Sequence, residues 1–288
     1  MDPAPSDVVP SNVAPSNAGQ ERAWEGAEGD QWAGHADLLE GMPARYDAAL
    51  LDAAGIGPGA RVLDVGCGTG SLTRAAARRA VNGTALGVDL STAMIAVARD
   101  RAARAGLPNA AFVRADAQVH PFPPAGVDVV LSRTGASFFG DAPAAFANLA
   151  RATAPGGRLA LLTWQAAAHN EWFTEIAGAL AGRALTPPPG VPGPFALAEP
   201  EAVDGLLRGA GWTDVEIVGV REPALFGPDP LAARDVLAGL LSWLLDGRDP
   251  AERDRARAAL LATMQAHDGP DGVAFGSAAW LVTANRSG

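Results

Sequence analysis

Two aspartates beside a glycine-rich turn are the residues whose spacing most clearly points to chemistry in this 288-residue chain. From Arg61 the sequence reads Arg-Val-Leu-Asp-Val-Gly-Cys-Gly-Thr-Gly, so a short apolar run delivers Asp64 directly before three glycines. Glycine adopts conformations closed to other residues and lets a ligand approach the main chain closely. Glycine turns also occur for packing alone, but this one predicts a ligand-binding loop. Its predicted contacts are Asp64, Gly66, Cys67, Gly68 and Gly70.

The second carboxylate, Asp89, ends the next predicted strand, about 20 residues beyond the glycines. At this separation an acidic residue accepts hydrogen bonds from the ribose hydroxyls of a nucleotide. Capping of the following helix by Asp89 or Ser91 is a compatible second role. Leu90 and Met94 complete the contacts predicted on this segment. The two segments together predict a site for a nucleoside-containing cofactor.

The spacing of the glycines distinguishes two cofactor classes. Dinucleotide sites use G-x-G-x-x-G and place a helix N-terminus against a pyrophosphate. Here the spacing is G-x-G-x-G, and Asp64 would repel a pyrophosphate. A carboxylate at that position suits the α-ammonium group of a methionine moiety instead. The sequence therefore favours S-adenosylmethionine, with S-adenosylhomocysteine as product, over a nicotinamide cofactor.

From residue 24 to residue 283 the chain resembles the class I S-adenosylmethionine-dependent methyltransferases in the order of its motifs. Arg114-Ala-Asp-Ala-Gln118 is similar to the family's adenine site, and Val127–Arg133 to its fourth strand. The resemblance implies that the Asp116 side chain meets the adenine amino group and that the Ala117 amide meets the ring. A cofactor contact is also expected from Ser132, at the end of that strand. The N-terminal Trp24–Tyr46 segment is expected to roof the pocket, with Trp32 and Tyr46 over the methionine end of the cofactor.

Within this family, the chain is most similar to a bacterial subgroup related to ubiquinone/menaquinone-type methyltransferases. The features in common are an N-terminal tryptophan-rich segment, the turn Ser132-Arg-Thr-Gly135, the strand end Thr163-Trp164 and the triplet Asn170-Glu-Trp172. Thr134 stands where the subgroup's turn usually has an aromatic residue, so we expect a different pocket. The predicted substrate pocket consists of Thr134, Trp164, Asn170 and Trp172.

Two residues are candidates for a direct role in the reaction. The Arg133 guanidinium is suited to hold a substrate carboxylate, although a structural salt bridge is an equal alternative. His169 is the histidine that we would test first as a general base. Methyl transfer needs mainly alignment of the acceptor with an already activated methyl group, so an obvious base is not required. The acceptor itself is predicted to be a small, partly apolar molecule, such as a secondary metabolite or a quinone-like ring.

Short apolar runs alternate with amphipathic runs from Arg61 onward, which is typical of an α/β fold with a mostly parallel sheet. We predict a Rossmann-like three-layer sandwich with seven strands, the last antiparallel. Residues 1–22 are predicted to be a disordered lead-in and 23–288 the methyltransferase domain, with a helical lid insertion near 222–270. One or two further lid helices are expected between Trp24 and Leu51. The predicted strands are Arg61–Val65, Thr84–Asp89, Ala111–Arg114, Val127–Ser132, Arg158–Trp164, Val215–Val220 and Ala278–Thr283.

Composition limits the other classes of partner. The formal net charge of −10 disfavours nucleic acid, which requires clustered positive charge. No run of about 20 apolar residues or signal sequence is present, so we expect a cytoplasmic protein without membrane contacts. One cysteine and four scattered histidines predict no metal site. The apolar lid is equally consistent with a homodimer interface. A macromolecular acceptor, or cofactor binding without methyl transfer, stays open as an alternative.

Overall fold

The computed structural model describes residues 17–188 and 190–287 of the chain. Seven strands lie in one sheet in the order β3-β2-β1-β4-β5-β8-β6, and a two-residue strand, β7, pairs with β8. The strands are β1 Arg61–Val65, β2 Thr84–Asp89, β3 Ala110–Arg114, β4 Val127–Arg133, β5 Thr153–Trp164, β6 Trp212–Leu225, β7 Asp268–Gly269 and β8 Gly272–Arg286.

Strands β1 to β5 run parallel, and β8 runs antiparallel to both β5 and β6. The predicted mostly parallel, seven-stranded sheet with an antiparallel last strand is therefore confirmed. The last strand lies between β5 and β6 rather than at the edge. The strand order reverses between β1 and β4, and open α/β sheets bind their ligands at such a switch point.

Helices cover both faces of the sheet because alternate residues of the central strands are apolar on both sides. Leu63 of β1 packs in one core with Phe146 and Leu207, whereas Val62 packs in the other with Leu50 and Leu72. The helices are α1 Ala18–Trp24, α2 Ala27–Gly34, α3 Ala36–Gly41, α4 Asp47–Ala54, α5 Ser71–Arg79, α6 Thr92–Arg104, α7 Ala142–Ala152, α8 Glu171–Ala181, α9 Pro200–Gly209, α10 Pro230–Leu240 and α11 Pro250–Ala266. No helix in the described part of the chain has the length and apolar character needed to cross a membrane.

The N-terminal segment differs from the sequence prediction. Residues 1–16 of the predicted disordered lead-in lie outside the described residues, but residues 18–22 belong to α1 rather than to a disordered segment. The Asn17 side chain accepts a hydrogen bond from the Gly140 N–H, and Glu21 forms an ion pair with Arg114. These contacts hold α1 against the domain, and local composition does not reveal them.

The two lid segments are helical. Between residues 27 and 54 the chain forms α2, α3 and α4, more than the one or two helices expected, because Gly34, Gly41 and Pro43 interrupt the apolar pattern. The C-terminal insertion consists of α10, a short 3₁₀ turn at Ser242–Leu245, and α11. Residues 222–225, at the predicted start of the insertion, still belong to β6.

Candidate active site

A cavity of about 450 Å³ lies beyond the carboxyl ends of the parallel strands, beside the switch point between β1 and β4. Asp64, Asp89, Arg133 and Trp164, from the ends of β1, β2, β4 and β5, contribute to its lining. The volume lies in the range of about 300–1,000 Å³ that is usual for small-molecule sites. The cavity is therefore large enough to be a binding site.

The three glycines of the turn after β1 have different roles. A Cβ on Gly66 would lie 2.7 Å from the Gly135 Cα atom, and one on Gly70 would lie 2.6 Å from the Phe112 ring, so close packing excludes side chains there. Gly68, with φ of +52°, lines the cavity with its backbone, and a Cβ there would approach the side chains of Leu39 and Met94 to 3.4 and 3.8 Å. Gly70 directly precedes α5 and does not line the cavity, so the structure gives it a packing role.

Asp89 fixes the shape of this turn. Its Oδ2 atom accepts a hydrogen bond from the Gly68 N–H at 2.8 Å, and its Oδ1 atom accepts one from the Ser91 N–H at 2.9 Å. Burial raises the pKa of Asp89, and these backbone hydrogen bonds oppose the shift. Ser91, not Asp89, caps α6 by accepting a hydrogen bond from the Met94 N–H. Asp89 is thus a partly buried acceptor on the cavity wall.

Asp64 is the most deeply buried carboxylate of the cavity, with 1% of its surface exposed. Burial raises its pKa to about 6, while the hydrogen bond from the Thr73 hydroxyl and the positive charge of Arg133 act in the opposite direction. The Thr73 Oγ1 atom donates to Asp64 Oδ2 at 2.6 Å. A cationic ligand group would stabilise the ionised form of this side chain. Next to it, burial raises the pKa of the Cys67 thiol, so Cys67 is not an activated nucleophile.

Asp116 lies at the opposite end of this wall, after β3. Its Oδ1 atom accepts hydrogen bonds from the Gln118 N–H at 2.9 Å and from the Asn17 side-chain amide at 3.3 Å. Asn17, Asp116 and Ala117 all line the cavity. The N-terminal segment therefore contacts the same carboxylate to which the sequence assigns the adenine amino group.

Arg133 lines the cavity but is already paired. Its Nη1 atom donates to both carboxylate oxygens of Asp47, at 2.6 and 2.7 Å, and its Nη2 atom donates to the Ser71 hydroxyl at 2.8 Å. Only 11% of the Arg133 side chain is exposed. The structure therefore supports a structural salt bridge for Arg133. The alternative, a free guanidinium that binds a substrate carboxylate, is not supported.

The other end of the cavity is apolar. Trp164 at the end of β5, Trp172 on α8 and Phe226 after β6 belong to one aromatic cluster. Thr134, with a left-handed φ of +64°, borders it. Further apolar lining residues there include Met42, Phe173, Ile176, Ala177, Leu237, Leu240, Leu241, Trp243 and Leu244. The acidic residues follow β1 to β3, whereas these residues come from β5, α8, β6 and the lid. The strand order therefore places the two sets at opposite ends of the cavity.

Most of the predicted site residues come together in this cavity. Asp64, Gly66, Cys67, Gly68, Asp89, Leu90, Met94, Asp116, Ala117, Trp32, Arg133, Thr134, Trp164 and Trp172 all line it. Gly70, Ser132, Tyr46, Asn170 and His169 are not among its lining residues.

Three of the predicted site residues that do not line the cavity are buried and form hydrogen bonds within the fold. They are Ser132, Tyr46 and Asn170. The Ser132 hydroxyl donates to the Val65 carbonyl at 2.7 Å and accepts from the Ala136 N–H. The Tyr46 hydroxyl accepts from the Glu222 N–H and contacts Ser277, so Tyr46 ties the lid to β6 and β8 instead of covering the cavity. Asn170 donates to the Ala278 carbonyl and accepts from the Ala278 N–H, which fixes the start of α8 on β8.

His169 lies exposed on a short 3₁₀ turn, Ala167–His169, outside the cavity. We therefore expect His169→Ala to leave both the melting temperature and the affinity for S-adenosylhomocysteine unchanged within error, since an exposed substitution away from the cavity costs little. Differential scanning calorimetry and isothermal titration calorimetry check this. A loss of affinity of tenfold or more would show that His169 reaches the site, as the sequence suggested.

Some lining residues are not recognisable from the sequence analysis. Asn17 lies in a Pro-, Ser- and Asn-rich stretch that carries no signal of a fixed position. Phe173, Ile176 and Ala177 lie on α8, which we did not predict. Apolar residues recur three and four positions apart along this segment, which is typical of an amphipathic helix. This spacing is the sequence feature that could have predicted α8.

Comparison with known proteins agrees with this geometry. Residues 62–157 match the model of the methyltransferase domain family. An uncharacterised protein from Mycobacterium tuberculosis is 36% identical over 130 residues, which are 45% of this chain and 46% of that protein. The demethylmenaquinone methyltransferase of Thermus thermophilus is 36% identical over 125 residues, which are 43% of this chain and 56% of that enzyme. The YcgJ protein of Bacillus subtilis has the same fold, with a TM-score of 0.57 at 20% identity over 85% of this chain and 99% of that structure.

Residues 62–157 therefore match a methyltransferase domain, and the fold and the cavity agree with the S-adenosylmethionine-dependent class that the order of the motifs predicted. The chain spans about half the length of the curated relatives it matches.

Proposed function

We propose that this protein transfers a methyl group from S-adenosylmethionine to a small, largely apolar acceptor. The observation that carries the proposal is the division of one cavity into an acidic end, formed at β1 to β3, and an aromatic end, formed at β5, α8 and the lid. A polar, cationic cofactor and an apolar acceptor fit these two ends, and the place where the ends meet is where transfer would occur.

The acidic end suits the proposed cofactor. Asp89 would accept hydrogen bonds from the ribose hydroxyls, Asp116 would face the adenine amino group, and Asp64 would favour the methionine ammonium. A pyrophosphate would meet three carboxylates and, of the charged lining residues described, only one arginine, which is already paired with Asp47. Charge complementarity therefore supports S-adenosylmethionine over a dinucleotide.

The apolar end supports an uncharged acceptor. Burial of a charged acceptor among Trp164, Trp172 and Phe226 would cost desolvation energy without a partner in return. The bound cofactor supplies an activated methyl group, and the chain aligns the acceptor with it and excludes water. Such alignment can contribute about 7–11 kcal/mol. That the similar Thermus thermophilus enzyme is named for a quinone acceptor is consistent with this proposal.

Methyl transfer can be tested with S-adenosylmethionine that carries a labelled methyl group. We expect label to move to uncharged bicyclic phenols or quinols, and not to aromatic carboxylates of the same size or to bulk RNA. Transfer to RNA or protein would replace the proposed acceptor class with a macromolecule. Binding of the cofactor without transfer to any acceptor would point to a cofactor-binding protein that has another activity.

The raised pKa of Asp64 predicts how cofactor affinity depends on pH. Below pH 6 this carboxyl is protonated in the ligand-free protein, and a bound ammonium group favours its ionised form. We expect S-adenosylhomocysteine to bind up to about tenfold more weakly at pH 5 than at pH 7, with proton release on binding. Titration calorimetry in buffers of different ionisation enthalpy measures both. Asp64→Asn serves as control and should abolish the proton release.

The same shift has the opposite consequence for folding. The pKa of Asp64 is higher in the folded chain than its ordinary value of 3.8. Protonation therefore favours the folded state, so this contribution to the free energy of unfolding is fully present below about pH 4 and is lost as the pH rises through 6. Burial also raises the pKa of Asp47 and Asp89, so the Asp64 contribution is identified with Asp64→Asn, which should weaken this pH dependence of stability. An unchanged dependence in Asp64→Asn would contradict the assignment.

A further inference from the structure

Glu171, Glu175 and His267 form a cluster outside the cavity. Glu171 and Glu175 lie one turn apart on α8, and His267 immediately follows α11. One ligand atom from each residue lies within 4.8 Å of those of the other two. The His267 Nε2 atom is 2.9 Å from Glu175 Oε2. The fold thus brings together three possible metal ligands from sequence-distant segments.

Three consecutive residues of β8 orient this cluster. The Ala274 carbonyl lies 3.2 Å from His267 Nδ1, and the ring of Phe275 stacks on the imidazole with centroids 3.9 Å apart. The Gly276 N–H donates to Glu171 Oε2 at 2.7 Å. A Cβ on Gly276 would approach that oxygen to 3.0 Å, so glycine leaves room for the carboxylate. Metal-binding histidines and carboxylates are oriented by such outer hydrogen bonds.

The contacts of His267 direct its Nε2 atom toward the Glu175 carboxylate. A carbonyl oxygen only accepts, so the contact with Ala274 places a proton on Nδ1. In the neutral ring, the lone pair of Nε2 then faces a Glu175 oxygen, which also only accepts when ionised. The lone pair is thus directed into the cluster, where a metal ion would take the place of a shared proton. Among the described residues, neither glutamate has an ion-pair partner other than His267.

We propose that Glu171, Glu175 and His267 bind a divalent transition-metal ion of the zinc class. Two carboxylates and one imidazole neutralise its charge and match its preference for nitrogen and oxygen ligands. Zinc lies about 2.0–2.2 Å from such ligands, so tetrahedral ligand atoms are about 3.3 Å apart. The three ligand atoms lie within 4.8 Å of one another, so small side-chain rotations would reach this spacing, and water would complete the coordination. The site departs from our expectation of no metal, because the sequence separates His267 from Glu175 by 92 positions.

The metal ion would fasten the helix that forms one wall of the cavity. α8 supplies Trp172, Phe173, Ile176 and Ala177 to the cavity lining, whereas Glu171 and Glu175 join it to β8 and to the end of α11. The ion would therefore stabilise the wall without contact with the reacting groups. This role does not depend on the proposed methyl transfer.

Titration of EDTA-treated protein with zinc chloride tests the site. We expect one zinc ion per chain and a higher melting temperature, which EDTA reverses, because a ligand that binds only the folded state stabilises it. Glu175→Gln and His267→Gln should each weaken binding by roughly 10-fold to 100-fold or more. His169→Gln removes an exposed histidine outside the cluster and is the matched control. Substitution with Co²⁺ should produce visible absorption bands that His267→Gln abolishes.

A second variant keeps the test informative if a ligand substitution impairs folding. Gly276→Ala leaves all three ligands in place but crowds the Glu171 carboxylate, so zinc affinity should fall while circular dichroism stays unchanged. The proposal is wrong if folded wild-type protein binds no zinc at millimolar concentration. It is also wrong if the affinity and the cobalt spectrum are the same in wild type, Glu175→Gln and His267→Gln. Either result would mean that His267 and Glu175 form an ion pair without a metal ion.

Discussion

Replacement of Asp89 by alanine is expected to weaken the binding of S-adenosylhomocysteine by about 1.5–3 kcal/mol, which is tenfold or more in the dissociation constant. The variant loses a charged acceptor for the ribose hydroxyls. It also releases the Gly68 and Ser91 N–H groups, whose hydrogen bonds with Asp89 shape the cavity wall. Isothermal titration calorimetry of wild type and variant at pH 7.5 measures the difference.

Two further variants separate the causes of this loss. Asp89→Asn retains the shape and part of the hydrogen bonding but removes the charge, so its affinity should fall between those of wild type and Asp89→Ala. Asp204→Ala removes a partly exposed aspartate on α9, outside the cavity, and should leave affinity unchanged. Wild-type affinity in Asp89→Ala would contradict the assignment of this residue to the cofactor.

Disruption of the Arg133–Asp47 pair is expected to lower the free energy of unfolding by about 3 kcal/mol or more. Arg133→Met leaves Asp47 without its partner in a position where burial already raises the pKa of that carboxyl. Removal of one partner of a buried pair strands the other charge and typically costs about 3–5 kcal/mol. Chemical denaturation of wild type and Arg133→Met at pH 7.5 measures this loss.

The chain offers a matched control for this pair. Arg79 and Asp52 form an ion pair of the same residue types with 35% and 72% of their side chains exposed. Arg79→Met should cost less than about 1 kcal/mol, since exposed pairs contribute little. A stable Arg133→Met variant that loses affinity only for carboxylate-bearing acceptors would instead support the substrate-binding role that the sequence left open.

The sequence predicted those parts of the fold whose pattern is local. β1 and β2 begin and end where predicted, because each is a short apolar run that ends at the glycine turn or at Asp89. α6 starts at Thr92 because the neighbouring Ser91 caps it. Such signals also place Asp64, Gly68 and Asp89 on one edge of the sheet, and this is why most of the predicted cofactor residues line the cavity.

Contacts between distant segments could not be predicted in this way. Tyr46 bonds to Glu222 and Ser277, Arg133 pairs with Asp47, and His267 meets Glu175, each across dozens of residues. The type of an aromatic or charged residue shows that it needs a partner, but not which partner the topology supplies. We assigned Tyr46 to the cofactor and His169 to catalysis, but neither residue lines the cavity. The sequence shows the type of each side chain, but not the direction in which the fold points it.

The most direct test of the central claim is a calorimetric comparison of S-adenosylhomocysteine and NADH as ligands of the wild-type protein. The acidic wall formed by Asp64, Asp89 and Asp116 predicts one molecule of S-adenosylhomocysteine bound per chain with micromolar affinity, and no detectable binding of NADH. Tight binding of NADH, or no binding of S-adenosylhomocysteine at millimolar concentration, would show that the cavity serves another ligand and that the proposed reaction is wrong.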